Sequence, residues 1–323
     1  RSTIKGYIYS DKDGDFHEPA TWQNYPDSWV NVALDPNNVQ WSEVLGIEIK
    51  HKVTLGSNFS GQIGTAERKV PIKIIDNNGR AALIVEKEGV FANATVKVEE
   101  GGSFVNTTSS DVQGVIEKRL HGGIWNFIGL SGYTNLAPLR NRLLRENQSE
   151  NTGNTGNEIL KFWALGYDYQ NSMWDENNYL YWTDNIAPGA GILVYTNGDN
   201  ILVEIGQNRG ENGIETGLND FENLEQVELT FPNSGPWVAL ANPYPAVMDA
   251  RKAMDGISFS GTVQGDGIYV REAKSYTWTF VADTNSKNKQ INAAQGFFVK
   301  FSDETAQNRT ITLSKTMLVD YPT

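Results

Sequence analysis

Apolar and polar residues alternate over short stretches along most of this chain, and a helical period is rare. Ile47-Glu48-Ile49-Lys50, Val53-Thr54-Leu55, Ile72-Lys73-Ile74 and Val96-Lys97-Val98 each place apolar side chains two residues apart, the signature of a strand with one buried face. Gly, Asn, Asp and Pro punctuate these runs, and the 31 glycines supply turns that need positive φ. Two stretches read as short helices. One is Leu136–Glu146, with Leu139, Leu143 and Leu144 on one side and Pro138 near its start, where a helix tolerates proline. The other is Val247–Met254. The pattern predicts an all-β fold.

Residues 1–118 have their own texture. Leu83–Phe91 is echoed thirteen residues later by Val96–Phe104, and Ile47–Leu55 and Ile72–Gly79 read as earlier rungs. Strand, acidic-Gly turn, strand predicts a β-solenoid-like domain with apolar residues stacked rung on rung. A sandwich of hairpins gives the same pattern and stays open as the alternative.

The remainder repeats itself. Gly123-Ile124-Trp125-Asn126-Phe127-Ile128-Gly129 is matched by Gly235-Pro236-Trp237-Val238-Ala239-Leu240-Ala241. Ile186-Ala187-Pro188-Gly189-Ala190-Gly191-Ile192-Leu193-Val194 is matched by Ile291-Asn292-Ala293-Ala294-Gln295-Gly296-Phe297-Phe298-Val299. Between them, Phe162-Trp163 to Trp174 parallels Tyr269-Val270 to Trp278. Landmarks in one order, at offsets of about 105 to 112 residues, indicate a duplicated β module. The expected division is 1–118, then two related β-sandwich modules at 119–220 and 221–323. The polar stretches Asn147–Asn157 and Gln207–Asn219 read as exposed loops, where binding specificity often resides.

Composition narrows the function. The net charge of −12 over 323 residues argues against nucleic acid as a partner, which needs a clustered basic surface. The absence of cysteine removes disulfides, thiolate catalysis and Cys-ligated zinc. No apolar run approaches the length of a membrane span. The chain opens on Arg1-Ser2-Thr3 without an apolar leader, as expected of a processed or a truncated chain.

Two constellations carry candidate chemistry. Asp11, Asp13, Asp15 and Glu18 surround Gly14 and offer alternating oxygen ligands of the kind that wrap calcium, although the spacing departs from an EF-hand. A cation there would pin the N-terminal turn; an acidic turn without one is the simpler alternative. Tyr167, Tyr169, Trp174, Tyr179, Tyr181 and Trp182 crowd together beside Asp168, Asn171 and Asp175, as in surfaces where rings stack on sugar C–H faces and amides bind the hydroxyls. The repeat-matched Trp125 and Trp237, with Trp163, read as core plugs, and Trp182 has that reading as its alternative. Catalytic signatures are thin: three histidines without metal-ligand spacing and no nucleophile elbow. Carboxylate pairs such as Asp175/Glu176 and Asp220/Glu222 read as solvated surface, since glycoside hydrolysis needs a separation that only space can set.

Trp237 through Asn242-Pro243-Tyr244-Pro245, then Gly267-Ile268-Tyr269-Val270, Gln295-Gly296-Phe297-Phe298-Val299-Lys300 and Thr310-Ile311-Thr312-Leu313, resemble a module of large exported Bacteroidota proteins. Ala293-Ala294 stand where that module usually has Pro and Gly, and the first copy has Leu130-Ser131-Gly132-Tyr133 in place of Asn-Pro-Tyr-Pro. Tyr9–Phe16 with Pro19-Ala20-Thr21-Trp22 is similar to the entry of β-solenoid segments in the same proteins. The resemblance implies export by the type IX secretion machinery to the cell surface or medium, with a sorting domain after Thr323 either removed or left out of this sequence. It supplies no active site. The resulting expectation is a non-enzymatic surface protein of adhesion or assembly, binding a surface glycan or protein through loops at several points. The alternatives are a glycan-binding component of a polysaccharide-degrading system, a polysaccharide hydrolase or lyase, and a subunit that polymerises through strand edges.

Overall fold

The computed structural model describes residues 6–25, 39–75, 80–110, 112–130, 136, 162–181, 184–196, 200–205, 207–209, 215–218, 220–221, 224–257, 265–271, 278–281, 290–302 and 304–319. The chain is all-β and divides into two compact units. The first holds Arg1–Glu117, Leu218–Asn223 and Asp320–Thr323, and the second Lys118–Gly217 and Leu224–Val319. Both repeats therefore lie in one unit.

The first unit is built from parallel strands. β1 (Gly6–Ser10), β2 (Gly14–Asp15), β3 (Trp22–Tyr25), β4 (Val44–Ile49), β5 (Lys52–Leu55), β6 (Val70–Ile74), β7 (Ala82–Val85), β8 (Ala94–Val98), β9 (Ser103–Asn106) and β10 (Val112–Leu120) follow in order. One sheet runs β3-β1-β4-β6-β8-β10 and the other β2-β5-β7-β9. All neighbours are parallel except β1 and β3. The chain thus lays one strand in each sheet per circuit. Ile47 pairs with Ile72, and Ile72 with Val96, a circuit of about 25 residues.

The thirteen-residue echo joins two different sides of a circuit. Leu83 stacks between Val53 and Phe104 in one sheet, while Val96 stacks on Ile72 in the other. Inward residues at each level, among them Ile49, Leu55, Ile74, Val85 and Val98, are at most 1% exposed, and each contributes about 1.5–3 kcal/mol by leaving water. Outward positions carry charge: Lys73 bridges Glu99 at 2.6 Å and Lys97 bridges Glu117 at 3.1 Å, surface pairs that each add little.

The second unit is antiparallel. Its strands include β11 (Trp125–Ile128), β12 (Phe162–Asp168), β13 (Met173–Tyr179), β14 (Ile192–Thr196), β15 (Ile201–Ile205), β16 (Gln207–Arg209) and β17 (Glu215–Leu218). After β18 (Asp220–Phe221), which pairs with β10 in the first unit, come β19 (Gln226–Ser234), β20 (Trp237–Ala241) and β21 (Met248–Asp249). Helix α1 (Ala250–Gly256) precedes β22 (Gly265–Arg271), β23 (Trp278–Val281), β24 (Gln290–Ile291), β25 (Gly296–Phe301) and β26 (Gln307–Ser314).

One four-stranded sheet is ordered β11-β14-β12-β13 and another β20-β25-β22-β23. These are the same order, one sheet per copy, and the registers agree: Trp125 pairs with Tyr195 as Trp237 pairs with Lys300.

The two sheets do not enclose separate cores. Phe127, Leu165 and Leu193 from the first copy form one buried cluster with Ala239 and Phe298 from the second. The copies also exchange reciprocal backbone bonds: Gly129 N–H donates to Ala294 O at 3.1 Å, and Ala241 N–H to Gly189 O at 2.8 Å. Gly129 and Ala241 occupy matching positions, as do Gly189 and Ala294, so the contact is a pseudo-two-fold. At its centre a Cβ on Gly129 would lie 2.2 Å from the Ala241 Cβ; one of the pair must be glycine.

Helix α1 begins later than the sequence suggests because Met248 and Asp249 pair with Ile291 and Gln290. Asp249 then caps it, its carboxylate accepting from the Arg251 and Lys252 amides, as N-caps do. Part of the expected loop Gln207–Asn219 forms paired strands β16 and β17. The expected helix beyond Leu136, the loop Asn147–Asn157, Trp182, Glu222 and the side chain of Glu176 lie outside the described residues.

Candidate functional site

Strand alternation sends Trp237, Ala239 and Phe298 to one face of the second copy's sheet, with Tyr269 paired opposite Phe298. In the first copy's sheet Tyr167 pairs with Trp174 across β12 and β13. Residues of both faces line an open hollow of about 370 Å³: Tyr167, Ser172, Met173 and Trp174 from the first copy, Trp237, Tyr269 and Phe298 from the second. Five of these seven are aromatic.

The rings support one another. Tyr167 and Trp174 meet edge to face at 5.0 Å, while Tyr167 and Phe298 at 5.4 Å and Trp237 and Tyr269 at 4.8 Å are tilted pairs. Such pairs each hold their geometry with about 0.5–1.5 kcal/mol beyond burial. Phe127 packs behind, 5.3 Å from Trp174 and 5.0 Å from Phe298.

The turn between β12 and β13 joins the two halves of the hollow. Asp168 accepts from the Gln170 and Asn171 amides and from the Asn171 side chain, and these bonds hold its carboxyl below the ordinary range, the side-chain bond most of all. Ser172 takes φ of 53°. Its Oγ accepts from the Trp237 amide at 3.2 Å, and Gly235 N–H donates to Tyr169 O at 2.7 Å. A Cβ on Gly235 would lie 2.3 Å from Ser172 Oγ, so glycine there permits the approach.

Of the predicted aromatic residues, Tyr167 and Trp174 line the hollow. Burial pushes the Tyr167 phenol above its ordinary range, with the Ser172 hydrogen bond acting the other way, so it remains a neutral hydroxyl. Tyr169 serves a different role: its hydroxyl donates to Ala239 O at 3.1 Å and its ring lies 4.3 Å from Phe231. Tyr179 and Tyr181 are 45% and 71% exposed and stand outside the lining. Trp237, read from sequence as a core plug, is only partly buried and forms a wall of the hollow. Tyr269 and Phe298 were legible as strand residues, but the alternation that aims them at the first copy needs the register.

At the N-terminus Asp15, His17 and Glu18 bring ligand atoms within 4.8 Å of one another. Asp13 is turned elsewhere, its Oδ1 accepting from the Lys52 amide at 2.8 Å, and Asp11 is outside the group. The four predicted calcium ligands are therefore not brought together as a set; His17 joins two of them. Nearby, Ser10 Oγ and His51 Nδ1 are 3.1 Å apart. That serine is 1% exposed and accepts from the Lys50 and His51 amides, which makes it a structural tie, closed to substrate.

Among the described residues no helix is long and apolar enough to cross a membrane. No family model, curated protein or solved structure matches the chain.

Proposed function

We propose that this is a non-enzymatic, exported protein of the cell surface or medium that binds a glycan in the aromatic hollow and so serves adhesion. The observation that carries this reading is the hollow itself: five rings drawn from two sheets around about 370 Å³. Flat ring faces pack on the C–H faces of pyranose sugars, and hydroxyls and indole N–H groups at their rims can meet sugar hydroxyls. A 370 Å³ space falls in the range of small-ligand sites. The reading is binding, not turnover, because the described lining holds no carboxylate pair to act as acid and base.

Both copies contribute to one hollow, which supports assigning recognition to strands and a single turn, not to separate loops. Calcium enters only as a pin for the Asp11–Glu18 turn, and export by the type IX machinery only through the resemblance of the module. The test is retention of the purified chain on a panel of soluble and insoluble polysaccharides, with and without calcium, with released product assayed in the same wells. Retention without product is expected. Product release would make the protein an enzyme, and no retention on any glycan would remove this reading.

A further inference from the structure

The deepest part of the hollow is chemically unlike its rim. Phe298 is 9% exposed, whereas Tyr167, Trp174, Trp237 and Tyr269 are only partly buried and Met173 is 55% exposed. Rings of both copies converge on Phe298: centre to centre, Tyr167 lies at 5.4 Å, Trp174 at 5.8 Å and Trp237 at 6.0 Å. Phe298 therefore makes the floor, and a phenyl floor has no atom that donates or accepts a hydrogen bond.

The one aliphatic hydroxyl of the lining is already engaged. Ser172 Oγ accepts from the Trp237 amide at 3.2 Å, and the same hydroxyl hydrogen-bonds the Tyr167 phenol. No charged side chain is among the described residues of the lining. A sugar hydroxyl or carboxylate carried to this floor gives up its water without a replacement, which penalises any buried polar group. A methyl group in the same place gains by leaving water.

Resting on the carbohydrate reading above, we propose that the hollow selects a neutral sugar bearing a methyl group, either the C6 methyl of a 6-deoxyhexose or the acetyl methyl of an N-acetylhexosamine. The methyl group sits against Phe298, and the pyranose ring lies along the Trp174 and Trp237 walls. The rim, where Tyr167 and the indoles carry their polar atoms, is left to the ring hydroxyls.

The probes are two matched pairs, L-fucose with L-galactose and N-acetylglucosamine with glucose, the members of each pair differing only at the group that carries the methyl. Affinities for wild type are read by NMR titration, and saturation passed from the aromatic protons of the protein is read at each sugar proton. The methyl-bearing member of a pair should bind about tenfold more tightly than its partner, within the range over which an apolar pocket sorts such groups. Its methyl protons should receive the most saturation, and the pair that shows the preference identifies which methyl is taken. Phe298→Leu should weaken that sugar about fivefold, the scale of one ring contact, with urea unfolding measured alongside. Equal affinity within both pairs, saturation centred on the pyranose ring protons, or unchanged affinity in a folded Phe298→Leu protein overturns the methyl selection and leaves the hollow as a glycan site. If Phe298→Leu does not fold, the wild-type affinities and saturation decide alone. If none of the four sugars binds while a polysaccharide of the panel does, methyl selection fails and the glycan reading stands. If nothing binds, the carbohydrate reading itself fails.

Discussion

The first and second copies share a strand order and a register, yet they solve matching positions with different residues. Phe127 fills the space between the sheets where its counterpart is Ala239. Each copy ties its loops with one buried asparagine, but not the same one. Asn126 donates to the carbonyls of His121, Ile124 and Val194, whereas Asn242 donates to Ala246, Ile291 and Asn292. The position matching Asn242 is Leu130, which is fully buried. A duplicated scaffold therefore keeps its backbone pairing while its cores and ties diverge, and the hollow arises where residues unlike each other meet. The first unit shows the contrast: its parallel circuits stack like on like, Ile47 on Ile72 on Val96, and its outward positions carry ion pairs such as Lys73–Glu99.

Exchanging residues between copies breaks this comparison in a graded way. Phe127→Ala, which gives the first copy the residue of the second, should cost about 3–5 kcal/mol in urea unfolding, because the Phe127 ring packs against both Trp174 and Phe298. Asn242→Leu imports the first copy's solution and should cost about 3 kcal/mol by removing the side chain that bonds three carbonyls and the Tyr244 amide. Gly129→Ala should cost about 1–3 kcal/mol through overpacking against Ala241. Adding Ala241→Gly should return most of that loss, since the pair shares one space; a double variant no better than the single would refute the pseudo-two-fold contact.

The mildest exchange is Ala294→Gly. Ala294 has φ of 55° where Gly189 has 83°, so glycine relieves left-handed strain while loosening the unfolded chain. A net gain of up to about 1 kcal/mol is expected, read as a higher unfolding midpoint.

Much of this was legible in the sequence because alternation and repetition are local signals. Ile47-Glu48-Ile49 and Val96-Lys97-Val98 announce strands without a structure, and Gly123–Gly129 against Gly235–Ala241 announces the duplication. Ala294 was marked as unusual by standing where the module that this sequence resembles has Gly. What stayed hidden depends on pairing. The side of a circuit to which Leu83 belongs is set by the turns around it, so the thirteen-residue echo joined two sheets that are distinct. Likewise, whether Trp237 plugs a core or walls a hollow depends on the facing sheet, which no spacing within the second copy reports. Tyr169 and Trp174 lie five residues apart on the sequence, yet one is held by Ala239 and Phe231 and the other lines the open space.

The central claim is that the hollow formed by both copies is the glycan site, and Trp174 tests it most directly. An oligosaccharide retained by wild type is titrated by intrinsic fluorescence into wild type and Trp174→Ala, with urea unfolding of each measured alongside. Loss of one large wall of a small-ligand site should weaken binding at least about tenfold. The variant should still unfold cooperatively, because the Trp174 ring is only partly buried. Unchanged affinity in a folded Trp174→Ala protein would contradict the account.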